Sequence, residues 1–112
     1  MDEKFTAIYL MVRRDELTPE DGDSYERPLA AQKEACMKRL KEAVPEEAEG
    51  DVEVYTSRRQ LFMDIERQKV KRLVVHDLDR LASTPEEMEG ILFELRSAGI
   101  PILTVNAEEN RE

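Results

Sequence analysis

Two short runs of this sequence carry side chains able to handle a charged substrate. The first is Leu73-Val74-Val75-His76-Asp77-Leu78-Asp79-Arg80-Leu81, an apolar stretch that delivers an imidazole, two carboxylates and a guanidinium in quick succession. The second, Tyr9-Leu10-Met11-Val12-Arg13-Arg14-Asp15, ends in two guanidiniums and a carboxylate. A guanidinium's planar fork suits phosphate or carboxylate, while carboxylates accept protons or hold a divalent cation. Positions 7–15 contain no Ser, Thr or Cys, so a covalent step would find no nucleophile there.

Strands must carry these runs if they are to meet. Residues 4–13, rich in Ile, Tyr, Leu, Met and Val, read as a first strand buried on both faces. An acidic, turn-forming loop with Pro19, Asp21, Gly22, Asp23 and Ser24 follows it. Leu29, Cys36, Leu40, Ala43 and Val44 fall on one helical face and predict a first helix over about 28–44, stopped by Pro45. Val52 to Tyr55 alternates as a short strand, and Leu61, Phe62 and Ile65 predict a second helix reaching about 69. The third strand is expected over 72–78. Thr84, Pro85 and Glu87 then supply an N-cap, a first-turn proline and a capping-box partner for a helix whose apolar face is Met88, Ile91, Leu92 and Leu95. Gly99 ends it, and 100–105 makes a fourth strand.

This alternation predicts an α/β fold in three layers, a mainly parallel sheet with helices on both faces. Ligand sites in such sheets lie at the carboxyl ends of the strands, which brings Arg13, Arg14 and Asp15 near Asp77, Asp79 and Arg80, with Arg58 added from the turn after the second strand. The 112 residues are expected to make one domain over 1–112.

The totals narrow the function. Charged residues make up 38% against 40% hydrophobic and 5% aromatic, which describes a solvated surface around an aliphatic core. A net charge of −9 opposes tight binding to a polyanion. Arg58, Arg59, Arg67, Lys69, Lys71 and Arg72 form the one basic concentration. The lone Cys36 leaves no intrachain disulfide or cysteine-based metal site and suits a reducing compartment. No apolar run approaches the roughly 18 residues of a membrane span, so a cytoplasmic protein is expected.

With Tyr9-Leu10-Met11-Val12-Arg13, Gln32, Arg58 and Leu78-Asp79-Arg80-Leu81-Ala82-Ser83 in this order, the chain resembles the N-terminal catalytic domain of the serine recombinases, the resolvase and invertase family. The resemblance implies that the first strand should end in a Tyr-x-Arg-Val-Ser pattern and the third in Leu-Asp-Arg-Leu-x-Arg. It further implies a serine that attacks a DNA phosphodiester, with arginines that hold the phosphoryl group. Here Arg13 stands in the serine's place, while Met11 and Ser83 stand where arginines belong; Asp79 and Arg80 are retained. An always-protonated guanidinium cannot become a covalent intermediate, so DNA cleavage by the serine mechanism is not expected. Phosphate or DNA contact would run through Arg13, Arg58 and Arg80.

The family's longer members continue into a dimerising helix and a DNA-binding region, and neither is found within these residues. Weak duplex contact, a homo-oligomer or a recombinase-like partner chain is therefore expected, without cofactor or metal. Two other readings compete. Asp77, Asp79 and Glu16 would serve as a Mg²⁺-binding carboxylate set like that of a Toprim phosphotransfer domain. Alternatively, the fold serves as a protein-interaction module with no DNA role. His76 is placed inside the third strand, facing away from Asp77, and is read as structural.

Overall fold

The computed structural model describes residues 4–22 and 24–105. Four strands form one sheet in the order β2-β1-β3-β4: β1 Phe5–Tyr9, β2 Val52–Tyr55, β3 Val70–Val75 and β4 Ile102–Thr104. Every neighbouring pair is parallel. The connecting helices are α1 Glu26–Ala43, α2 Pro45–Ala48, α3 Arg58–Glu66 and α4 Pro85–Ser97.

A right-handed crossover from β1 out to β2 puts α1 on one face, and crossovers in the other direction put α3 and α4 on the opposite face. The core divides accordingly. Ile8, Leu10 and Val74 pack with Cys36 and Leu40 of α1, whereas Ala7, Tyr9, Leu73 and Val75 pack with Leu61 and Ile65 of α3 and Ile91 and Leu95 of α4. The alternation of sheet faces along β1 and β3 accounts for both halves. The three-layer α/β arrangement expected from the sequence is the one found.

Several boundaries differ from the sequence reading. β1 stops at Tyr9 rather than at 13, and β3 stops at Val75 rather than at 78. Tyr9, Val75 and Thr104 are aligned as the last rung of the ladder, and no neighbouring strand extends past them. β3 also begins earlier, at Val70, with a register shift opposite Phe5 and Thr6. β4 is the shorter Ile102–Thr104. α1 begins two residues before Pro28, which still lies in the first turn, and Pro45 opens the one-turn α2 rather than merely ending α1. α3 ends at Glu66 instead of 69, because Gln68 adopts φ 60° and turns the chain into β3.

β2 lies at a sheet edge, so its alternation does not translate into one buried face: Val54 is exposed while Tyr55 is buried. α4 meets its expectation closely. Thr84 Oγ1 accepts from the Glu87 amide at 3.1 Å, and Gly99 takes φ 74° just beyond the helix. The Glu87 carboxylate departs from the standard box by accepting from the Ser83 amide at 2.9 Å. No helix among the described residues is long and apolar enough to cross a membrane.

Candidate functional site

From β1 the chain moves outward to β2, and from β3 it moves the opposite way to β4. The order therefore reverses between β1 and β3, and the crevice beyond their carboxyl ends is where such sheets place ligands. The loop 10–17, which contains a 3-10 turn at Arg14–Glu16, leaves β1 on one side of it. Residues 76–80, ending in a 3-10 turn at Leu78–Arg80, leave β3 on the other.

Arg80 ties these segments together. Its Nη1 and Nη2 each donate to the Glu16 carboxylate at 2.7 Å, a bidentate pair, and Nη1 also donates to the Met11 carbonyl at 2.7 Å. Its Nε lies 3.4 Å from Asp77 Oδ2, near enough for ion pairing but not aligned for a hydrogen bond. The Arg80 side chain is 9% exposed. Hydrogen bonding from Arg80, then from the Arg13 amide, holds the Glu16 carboxyl at about 2 despite partial burial. The same pairing pushes Arg80 above its ordinary value. A guanidinium matched this way by one carboxylate and flanked by another has little donor capacity left for a phosphate.

Gln32 does comparable work on the backbone. Its side chain accepts from the Met11 amide at 2.9 Å and donates to the Met11 carbonyl at 3.0 Å, substituting for the strand partner that Met11 lacks. Gln32 is buried on α1, at a position the apolar periodicity would give to a hydrophobe.

Met11, Arg13, Asp79, Ala82 and Ser83 line one cavity of about 390 Å³. Arg13 is exposed, and its Nη2 donates to the Asp79 carbonyl at 3.1 Å. The structure thus brings Arg13 and the retained Asp79 together with both positions where the resemblance called for an arginine. Serine and arginine are exchanged relative to that pattern: the guanidinium stands on the β1 side at 13 and the hydroxyl beyond β3 at 83. Ser83 is the hydroxyl of this cavity, which a search confined to the first strand could not find.

Arg58 belongs to a separate arrangement. Ser57 caps α3 by accepting from the Gln60 amide at 3.2 Å, and Arg58 in the first turn donates to the Leu81 carbonyl at 2.6 Å and to Glu87 at 3.0 Å. The Ser83 amide and then Arg58 hold the Glu87 carboxyl below its ordinary range. Arg58 therefore does not line the cavity of Arg13; it staples α3 to α4.

His76 lies just past the end of β3, and its Nδ1 is 3.0 Å from Asp77 Oδ2. This corrects the expectation of opposite faces, because the alternation stops where the strand does. His76 and Arg80 line a second cleft, of about 370 Å³, with Val12, Pro28 and Gln32. The carboxylate set of the Mg²⁺ reading is not assembled: Glu16 is engaged by Arg80, and no group of three or more potential ligands gathers among the described residues. Cys36 is buried, and burial pushes its thiol up to about 12, well outside the range of a nucleophile at neutral pH.

The model of the resolvase N-terminal domain matches residues 16–112, a stretch that takes in Gln32, Arg58, Asp79, Arg80 and Ser83 and begins just after Met11 and Arg13. Comparison with curated proteins gives no match. A parallel sheet in the order β2-β1-β3-β4, its strand-end crevice held by Arg80, and a family match over most of its length place the chain in the resolvase N-terminal domain family.

Proposed function

We propose that this domain spans 1–112 as one cytoplasmic unit and has lost serine-mediated DNA cleavage, acting in recombination-related binding or assembly instead. The observation that carries this reading is Arg13. The resemblance puts it in the place of the nucleophile, and its guanidinium donates to the Asp79 carbonyl inside the cavity that Met11 and Ser83 share. A phosphodiester entering there would meet a cation able to bind it and no activated hydroxyl at the end of β1.

Of the three arginines proposed for phosphate contact, Arg13 is the one best placed. Arg80 is bound to Glu16, and Arg58 to Glu87 and Leu81. The wider basic concentration is also partly neutralised, by Asp64 at Arg67 and by Glu47 at Arg72. DNA binding should therefore be weak and salt-sensitive, and assembly with a second copy or a recombinase-like chain becomes the main role.

The test pairs two measurements on the intact chain. Anisotropy of a labelled duplex across a salt series should reveal weak binding at low salt that Arg13→Ala reduces further. Incubation with supercoiled plasmid should leave it uncut and free of covalently attached protein. Nicked plasmid, or protein that stays on DNA through denaturing electrophoresis, would overturn the reading.

A further inference from the structure

The 3-10 turn that carries Glu16 is fastened by polar contacts alone. None of Arg14, Asp15 and Glu16 is buried, and none belongs to either core cluster. The turn is held toward β3 by the Glu16 carboxylate on Arg80, helped by the Arg13 guanidinium on the Asp79 carbonyl at 3.1 Å. A segment held this way opens more readily than the strands beneath it.

The contact that fastens it has the form of a bound oxyanion. A guanidinium fork takes a carboxylate or a phosphate through the same pair of parallel hydrogen bonds. Both Glu16 oxygens are used: Oε1 accepts from Arg80 Nη1 and from the Arg13 amide at 2.6 Å, and Oε2 accepts from Arg80 Nη2. Two other groups keep Arg80 in its pose, the Met11 carbonyl on Nη1 and the Asp77 carboxylate beside Nε. Glu16 is the more exposed partner, at 33%, and both residues line the cleft of about 370 Å³ that His76 shares. Removing the carboxylate therefore opens an anchored guanidinium to that cleft.

We infer that Glu16 is an autoinhibitory latch, a carboxylate of the chain's own that occupies the Arg80 fork in place of a phosphate until the loop 10–17 lifts. The inference rests on the reading of this crevice as a site of phosphate contact. Arg13 couples the two: a phosphate drawn to its exposed guanidinium competes with the Asp79 carbonyl and so loosens one of the loop's ties to the β3 side. The key to the latch is a competing anion, because the Glu16 carboxyl, held at about 2, stays ionised throughout the neutral range.

The test titrates the intact ¹⁵N-labelled chain with inorganic phosphate and follows the Nε–H signal of Arg80, beside anisotropy of a labelled duplex at low salt. Glu16→Gln should bind phosphate about ten-fold more tightly than the parent, the lower end of what a charge-assisted hydrogen bond supplies, and Glu16→Ala at least as much more tightly. In both variants, checked for folding by their melting curves, phosphate should move the Arg80 signal, which stays in place in the parent. Glu20→Gln removes the same charge from a carboxylate that is 79% exposed and faces Arg27, and it should bind like the parent. An Arg80 signal that phosphate does not move in either Glu16 variant would overturn the latch, as would an equal gain in Glu20→Gln. Duplex binding that depends on Arg13 but gains nothing in the Glu16 variants would remove the latch and leave the reading of the crevice standing. An Arg80 signal that moves with phosphate while no variant binds duplex would uphold the latch and count against DNA as the ligand.

Discussion

Glu16 and Arg80 are the pair on which the strand-end loop depends. Replacing Glu16 with Gln leaves a nearly buried guanidinium with only the unaligned Asp77 as counter-charge and should cost about 2 kcal/mol, read from urea denaturation at neutral pH. The same pair fixes a pH dependence. The carboxyl falls from 4.5 to about 2 on folding, so the unfolded chain binds the proton more readily. Its contribution is complete above about 4.5 and is lost as pH falls toward 2. Glu16→Gln should therefore differ most from the parent at neutral pH, and the gap should narrow through that window; a gap independent of pH would remove Glu16 from its place in the site. Arg80 was legible in the sequence as a site candidate because it follows closely on an apolar strand. Its pairing with Glu16, which the sequence offered only as a Mg²⁺ ligand, was not, because the two lie 64 positions apart and no local spacing links them. Gln32 was legible only through the resemblance, because its value lies in satisfying the Met11 backbone, which no periodicity records.

The elements were most legible where local chemistry alone sets them. Thr84, Pro85, Glu87 and Gly99 bound α4 through caps and turn preferences, and the helix lies where they predict. Strand ends were read too long at Tyr9 and Val75 because the ladder is closed by neighbours, not by the strand's own composition. The end of α3 was misplaced because Gln68 adopts a left-handed backbone, for which glycine is the usual signal. That conformation costs a residue with a side chain about 1 kcal/mol, partly offset by the entropy glycine gains in the unfolded state. Gln68→Gly should accordingly raise stability by about 0.5 kcal/mol, measurable as a shifted denaturation midpoint with an unchanged slope. A loss of stability would mean that the Gln68 side chain contributes more than its backbone costs.

At the scale of the molecule, the question is how deep the proposed loss of the serine mechanism runs. The sheet still places the β1 and β3 ends at the switch point, so the frame for the reaction is kept. The charge is not: the chain carries −9, and Arg80 and Arg58 are bound to Glu16 and Glu87. Arg13→Ser alone would return a hydroxyl to the end of β1. It would also remove the exposed guanidinium of that cavity while leaving Met11 and Ser83 in place of two further cations. Phosphoryl transfer depends on cations that stabilise the charge of the transition state, and a hydroxyl without them gains little. Arg13→Ser should therefore form no covalent adduct with a labelled duplex on a denaturing gel, even at low salt. The triple change Met11→Arg, Arg13→Ser and Ser83→Arg, which restores all three side chains of the family pattern, is the smallest change expected to yield one. An adduct from the single variant would mean that Arg80 can leave Glu16 to serve the phosphate, and that the proposed loss of activity is only one residue deep.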